Sequence, residues 1–360
     1  MNVVMHTHDG HAYLADRPTP GCQPNQLLCR GAFGWISPGT EGGFLRHRRS
    51  SPPTDTTHHT LGYTASGLVE TVGDDAPGFQ PGMAVGLYGS PYVFHAQQLA
   101  VGRNLATPVP AGVSLPEAAS VGLGAIAMHG LRRIDLTLGD LVVHWGLGPL
   151  GMIAIQIAQA MGARVIALDL LAARVAVANE LLTRGHAFQP DQVNLKELIM
   201  AMTRGRGADA AVTCVSGQRA IDQNIVDLLR DRGRISLLGG GALTLDAMQD
   251  ACRKELEIRH VRAGGPSRRD PVYEVQGIDY PIGYVPWTEN RNMEAYLQLL
   301  ADGLVNVKPM ITHCFNIEQA PAAWNLVVDH PETTLGVLIN LNPDRFNSPT
   351  VRDRSEEHTS

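Results

Sequence analysis

Residues 141–169 read LVVHWGLGPLGMIAIQIAQAMGARVIALD, and this stretch limits the fold more than any other. A short apolar run, Leu141–Trp145, meets the glycine pattern GLGPLG at 146–151, and apolar residues at helical spacing follow over Leu150–Met161. A second apolar run, Arg164–Leu168, ends in Asp169. A lone G-x-G-x-x-G carries little weight, but between a strand and a helix it is the turn of a dinucleotide-binding βαβ unit. Gly146 permits the tight turn, Gly148 lets a diphosphate approach the backbone, and Gly151 lets helix pack on strand. Pro149 suits a first helical position, where its missing N–H costs nothing. With Leu150 it opens a helix whose N-terminal amides face an anion. Asp169 lies 23 residues past Gly146, near the spacing of the acid that accepts hydrogen bonds from the adenosine ribose. A carboxylate there repels a 2′-phosphate, and the next residue is Leu170 rather than Arg, so NAD is expected over NADP. Other strand ends expected to line the cofactor are Val215 and Ser216, and Leu238 and Gly239. Arg174 reads equally well as a residue over the adenine or as a helix cap.

The stretch 141–163 lacks Asp, Glu, Lys and Arg, which invites a membrane reading. Gly146, Gly148, Pro149 and Gly151 break its first half and Gln156 and Gln159 mark its second, so a buried strand, turn and helix explain it better.

The rest of the chain divides around this unit. Residues 1–118 carry short apolar runs (Gln26–Cys29, Gly67–Val72, Met83–Leu87) between Gly and Pro turns, the pattern of an antiparallel barrel-like domain. Over 119–265 strands alternate with helices: Asp209–Val215, Arg234–Leu238 and Leu256–Val261 are expected strands, and Ala172–Leu182, Leu195–Thr203 and Ile221–Leu229 expected helices. That alternation predicts a doubly wound parallel sheet. Residues 266–342 lose the rhythm: helices Met293–Leu300 and Ala320–Val328 and strands Ile311–Phe315 and Leu335–Leu341 are expected to return to the first domain. Residues 343–360 are a tail. Its end, RSEEHTS at 354–360, reads as a translated sequencing adapter and is set aside.

Composition excludes several classes. The 29 basic and 35 acidic residues give a net charge of −6, unlike a nucleic-acid binder. The basic run Arg46–Arg49 is expected to be a solvated loop. Five scattered cysteines form no C-x-x-C pair, which argues against a structural zinc lobe or a disulfide framework and fits a reducing cytoplasm. The start, MNVVMHTHDG, has no signal-peptide pattern.

With these parts in order, the chain resembles the medium-chain dehydrogenase/reductase superfamily from about Cys22 to Leu341. The segments that carry the resemblance are SPGTE at 37–41, LGYTASGLVETVG at 61–73, FQPGMAVGLYG at 79–89, GLGPLG, and GRGADAAVTCVSG at 205–217. It implies a GroES-like β-barrel with an inserted Rossmann NAD-binding domain, and a homodimer or higher homo-oligomer acting on a small molecule with neither nucleic acid nor membrane as partner. Zinc relatives carry a Cys in the first segment, a His-Glu pair in the second and a third ligand later. Here Pro38, Tyr63 with Thr64, and Gly122 stand at those places, none of them a good zinc ligand, so no metal is expected. The pattern is similar to a zinc-less branch that includes bacteriochlorophyllide hydroxyethyl dehydrogenases and sugar or cyclitol dehydrogenases of polysaccharide pathways, and GIDYPIGYVPWTENRNM at 277–293 favours the second group.

The resemblance implies hydride exchange between a nicotinamide and a secondary alcohol or ketone, plausibly a sugar or cyclitol. Without zinc, a side chain must move the alcohol proton. Tyr63 either bonds the reacting oxygen or only fills the metal's space. Thr40 matches the family's proton-relaying hydroxyl, or is a turn residue. His129 and His95 are candidates to pass the proton on, the alternatives being a satisfied core His and a residue at the barrel rim. Tyr284, Trp287 and Arg291, in a loop rich in aromatics with polar tips, are expected to meet a polyhydroxylated substrate or else to form a structured connection. Two rival readings are an NADPH-dependent quinone or enoyl reductase of the same superfamily and a nucleotide-binding protein without chemistry.

Overall fold

The computed structural model describes residues 1–51, 53–54, 56–215, 222–239 and 244–351. The chain divides into two compact units: Met1–Ala125, Gly264–Asp302 and Val307–Ser360 form the first, and Ile126–Ala263 with Gly303–Asn306 the second. The first division falls inside a helix, a few residues beyond the change of pattern at 119.

The first unit opens with strands β1 (Asn2–His6), β2 (Ala12–Asp16), β3 (Gln26–Ile36), β4 (His59–Thr60), β5 (Thr64–Val72), β6 (Ala84–Tyr88), β7 (Gln98–Gly102) and β8 (Ala106–Pro108), and helices α1 (Gly43–Ser50) and α2 (Leu115–Ala118). Helix α3 (Val121–Arg133) crosses into the second unit, which continues with β9 (Leu141–Trp145), α4 (Pro149–Ala160), β10 (Arg164–Leu168), α5 (Ala172–Leu181), β11 (Gly185–Phe188), α6 (Leu195–Thr203), β12 (Ala208–Thr213), α7 (Gln223–Leu228), β13 (Leu229–Leu237), α8 (Leu245–Arg253) and β14 (Glu257–His260). The chain then re-enters the first unit with α9 (Pro271–Glu274), α10 (Glu289–Ala301), β15 (Ile311–Asn316), α11 (Ala320–Asp329) and β16 (Gly336–Asn340).

In the first unit β15-β16-β3-β5-β6-β8 form a continuous path, with β7 also paired to β3. Strand β3 pairs with three strands, β5, β7 and β16, and its pairing with β5 shifts register at Leu28/Cys29 and Gly31/Phe33. The return is physical: β16 pairs antiparallel with β3, Leu338 opposite Trp35. Leu27, Ile36, Leu99, Trp324, Val337 and Ile339 are fully buried in one core, each such aliphatic side chain worth about 1.5–3 kcal/mol against exposure.

In the second unit all six strands are parallel, in the order β11-β10-β9-β12-β13-β14. The order reverses between β9 and β12, so their carboxyl ends mark the switch point where α/β sheets bind ligands. Helices on both faces bury Leu141, Val142 and Val143 completely, which is why β9 reads as a continuous apolar run. Among the described residues no helix is long and apolar enough to cross a membrane.

The run Arg46–Arg49 is not a solvated loop. It forms half of α1, and its guanidinium groups donate to main-chain carbonyls: Arg46 to Val327 and Val328, Arg48 to His8, Arg49 to Gly10. Residues 343–351 are not merely a tail, since Phe346 packs on Phe33 with ring centroids 6.3 Å apart. The adapter-like segment 354–360 lies outside the described residues.

Candidate cofactor turn and active-site corner

The turn after β9 takes its shape from three glycines. Gly146 has φ +92°, and a Cβ there would lie 3.0 Å from Val215 Cγ1. A Cβ on Gly151 would overlap the Gly146 carbonyl oxygen, whereas one on Gly148 would meet nothing. Helix α4 starts with Gly148 as its cap and Pro149 in its first turn, with no side chain capping it. The amides of Leu150 and Gly151 therefore belong to an uncapped first turn. The cradle is one that side chains would fill, and it fits a diphosphate.

Asp169 is tied to this turn. Its Oδ2 accepts from Leu147 N at 2.7 Å and its Oδ1 from Leu171 N at 2.9 Å. A carboxylate offers about four acceptor positions, and these two amides take two of them. Arg174 Nη1 stands 3.9 Å from Asp169 Oδ2. The expectation that no cation compensates Asp169 is thus corrected: the cation comes from the first turn of α5, not from position 170. Leu238 and Gly239 donate their amides to Thr213 O at 3.0 and 2.9 Å, so they shape the strand ends rather than offer donors. Gly239 also lies directly on the Val215 carbonyl. Ser216 lies outside the described residues. Sequence reasoning missed His144, buried beneath the turn with Nε2 3.5 Å from Cys214 Sγ. Burial pushes its imidazole down to about 3, hence neutral.

A second cluster lies wholly within the first unit. Residues Pro38–Gly42 form one π-helical turn, with the Glu41 and Gly42 amides both donating to Ser37 O. The Glu41 side chain folds inward. Its Oε2 accepts from Ser37 N at 3.0 Å and its Oε1 from Gly62 N at 2.6 Å, joining the SPGTE segment to the GYT segment. Burial pushes this carboxyl up to about 7 against the pull of the two amides. Tyr63 is buried beside it. Burial and the Glu41 charge hold its phenol above the ordinary range, opposed by the nearby Ser37 and Thr40 hydroxyls. The Tyr63 ring meets Tyr88 edge to face, centroids 6.1 Å apart. The structure therefore brings Tyr63 and Thr40 together with Ser37 and Glu41, two residues the sequence reading passed over.

These residues do not make a zinc donor set. Pro38 has no donor atom in its side chain. The carboxylate of Glu41 is bonded to two amides. Thr64 Oγ1 donates to Ala119 O at 2.7 Å and accepts from Gly122 N at 2.9 Å. A Cβ on Gly122 would lie 2.5 Å from the Tyr88 ring and 2.8 Å from Thr64 Cβ, so the position has no room for any ligand side chain. Among the described residues no group of three or more His, Cys, Asp or Glu is arranged to hold a metal.

The two histidines sit in different surroundings. His95 is not at the barrel rim: it is fully buried against Gly34, Gly62 and Trp324, neither ring nitrogen has a hydrogen-bond partner, and burial pushes it down to about 3. It has no bonded route to pass a proton. His129 lies on α3 in the second unit, held near 4 by burial and then Arg133 and Arg132.

The loop before α10 closes on itself. Arg291 donates to Val285 O at 2.6 Å and Tyr280 O at 3.1 Å and pairs with Asp279. Its guanidinium is spent on the loop's own architecture. Tyr284 is 89% exposed and Trp287 42%, so neither is sequestered in a pocket. Among the buried polar groups here is Glu289, fully enclosed and held above the ordinary carboxyl range by burial and the neighbouring Glu274 against the pull of Arg268.

Comparison with known proteins follows the same two regions. A family model for zinc-binding dehydrogenases matches residues 149–275. Human sorbitol dehydrogenase is 26% identical over 375 residues, covering 96% of each chain. Alcohol dehydrogenase TADH from Thermus sp. ATN1 superposes with a TM-score of 0.73 at 23% identity, over 94% of this chain and 99% of that one. Galactitol-1-phosphate dehydrogenase from Escherichia coli does so with a TM-score of 0.73 at 18% identity, over 94% and 100%. With a GroES-like unit, a six-stranded Rossmann unit, the glycine turn in register and these relatives along nearly its full length, the chain is similar to the alcohol dehydrogenase-like oxidoreductases of the medium-chain dehydrogenase/reductase superfamily and shares their fold.

Proposed function

We propose that this protein is an NAD-dependent oxidoreductase that interconverts a secondary alcohol and its ketone, with a polyol, sugar or cyclitol as substrate, and that it works without catalytic zinc. The observation that carries this reading is the corner of Ser37, Thr40, Glu41 and Tyr63, a buried phenol and carboxyl at the place where zinc relatives bind metal. The likeness to a sorbitol dehydrogenase supports the substrate class.

The nicotinamide supplies the hydride chemistry when bound. The protein's part is to hold it and to handle the proton. Gly146, Gly148, Pro149, Leu150 and Gly151 form the diphosphate cradle, Val215 backs it, and Asp169 takes the ribose through its two remaining acceptor positions. Tyr63 stays a protonated phenol through the neutral range, so in ketone reduction it donates a hydrogen bond to the reacting oxygen. The Thr40 hydroxyl lies near it. His129 ranks third among the proposed proton carriers, since an imidazole held near 4 is a weak base at neutral pH. Arg291 is assigned to loop closure, while Trp287 and Tyr284 stay candidates for substrate contact at the surface.

Screening hexitols, pentitols and cyclitols by NADH formation, with wild type and Tyr63→Phe side by side, tests the proposal. Turnover by wild type and its loss in the variant are expected; equal rates remove Tyr63 from the mechanism. Arg174 beside Asp169 favours a second reading, an NADPH-dependent quinone or enone reductase. NADPH oxidation on quinones and enones, with no polyol turnover, would establish it instead.

A further inference from the structure

We infer that Tyr88 is the positioning residue for Tyr63: its ring, gripped on both edges by glycines, braces the Tyr63 ring in the corner. The inference rests on the reading above, and it says what keeps the proposed hydrogen-bond donor in place.

The main chain at Tyr63 is pinned on both sides. Gly62 N donates to Glu41 Oε1 at 2.6 Å, and Tyr63 O accepts from Gly89 N at 2.9 Å. Those bonds fix the backbone and leave the side chain its choice of rotamer. Tyr63 directly precedes β5, whose first residue, Thr64, stands opposite Tyr88 of β6. There the two tyrosine rings meet edge to face, with centroids 6.1 Å apart and planes at 71°. Aromatic quadrupoles favour that arrangement beyond simple burial. Both rings are buried.

Tyr88 can serve as a brace because it is itself held. A Cβ on Gly122, in the first turn of α3, would lie 2.5 Å from Tyr88 Cδ2, and one on Gly264 would lie 2.7 Å from Tyr88 Cε1. These two atoms sit on opposite edges of the ring, so backbone closes on it from both sides and neither position has room for a side chain. The Tyr88 hydroxyl accepts from Gly264 N at 3.0 Å. Gly264 is fixed in turn by α10: its carbonyl accepts from Asn292 Nδ2 at 2.9 Å, and a Cβ on it would lie 3.1 Å from Glu289 Cβ. Asn292 and Glu289 are fully buried. Contacts therefore run from α10 through Gly264 and Tyr88 to Tyr63, all within the first unit.

The engagement of the Tyr88 hydroxyl separates bracing from chemistry. It is bonded to Gly264 N, and among the described residues it has no bond to Ser37, Thr40 or Glu41. Tyr88 thus acts through the Tyr63 ring and not on the reacting atoms. A catalytic group misplaced by about 1 Å can cost about 100-fold in rate, so a brace on the donor ring has a kinetic consequence of its own.

The test uses the full-length protein with NAD and whichever polyol it turns over. Tyr88→Leu, which removes the ring, should lower kcat at least about tenfold and leave KM for NAD within about twofold. Tyr88→Phe, which keeps the ring and loses only the bond to Gly264, should recover most of that loss. Crystal structures of both variants give a readout that needs no turnover: the Tyr63 ring should be displaced by about 1 Å or more in Tyr88→Leu and stand at its wild-type place in Tyr88→Phe. Should Tyr88→Leu not fold, Gly264→Ala, whose Cβ enters the Cε1 edge, should displace the Tyr63 ring and lower kcat in the same way. A Tyr63 ring unmoved in Tyr88→Leu, or in Gly264→Ala where that variant stands in, overturns the inference. So does an equal loss of kcat in Tyr88→Phe and Tyr88→Leu, and so does wild-type kcat in Tyr88→Leu beside an impaired Tyr63→Phe. A displaced ring with wild-type kcat in both Tyr88→Leu and Tyr63→Phe sinks the catalytic reading of Tyr63 alone.

Discussion

The glycine turn of the second unit and the SPGTE–GYT corner of the first both rest on glycines and main-chain amides, and they use them in opposite ways. At the turn, Gly148 opens onto empty space and the first-turn amides of α4 have no capping side chain. At the corner, the amides of Ser37 and Gly62 are consumed by Glu41, and the Gly122 position is closed by Tyr88 and Thr64. One region keeps its backbone donors for an outside anion. The other spends them on holding an internal acid. The difference teaches that, under the proposed function, the cofactor would be held by backbone and the proton handled by side chains, so the two should fail separately when mutated.

The sharpest way to break this comparison is at the turn. Gly151→Val forces a side chain into the Gly146 carbonyl, and NADH affinity should fall about 1,000-fold, or about 4 kcal/mol, in a fluorescence titration; a fall of less than about tenfold would mean that the turn does not bind the diphosphate. At the corner, the stability of wild type should depend on pH through Glu41. Its folded-state value, about 7, is raised from the ordinary 4.5, so the native state holds a proton that the unfolded chain has released. Stability is therefore full below about 4.5 and falls as pH rises toward 7, by no more than about 3 kcal/mol. Glu41→Gln should flatten that slope in urea melts across pH, and an unchanged slope would assign it to other groups. Tyr63→Phe should lower kcat about 100-fold and leave NADH affinity unaltered, so a matching loss of affinity would erase the separation between the regions. The smallest change belongs to Asp169→Ala, which should move the NAD-to-NADP preference in kcat/KM about tenfold toward NADP; an unmoved ratio would show that Asp169 only braces Leu147 N.

How much was legible follows the same division. The strand–turn–helix over 141–160 and the strand to Asp169 could be read directly, because periodicity, glycine spacing and burial on both faces all agree there. Strands β1, β2 and β11 were not, being short or half exposed, and α1 hid in a run of arginines whose heads bond carbonyls instead of water. At the corner the absence of metal-ligand side chains was visible at Pro38, Tyr63 and Gly122. The inward turn of Glu41 was not, because it depends on a π-helical turn and on an amide 21 residues away. An acid directly after Pro-Gly-Thr was the available signal. The cation beside Asp169 was not legible for a related reason: adjacency in sequence says nothing of a helix's first turn, which lays Arg174 against Asp169.

The central claim is that the corner needs no metal. Protein stripped by chelation and verified metal-free by elemental analysis should oxidise its polyol with NAD at the untreated rate, and added zinc should not raise it. Loss of turnover on stripping, recovered by stoichiometric zinc, would contradict the account.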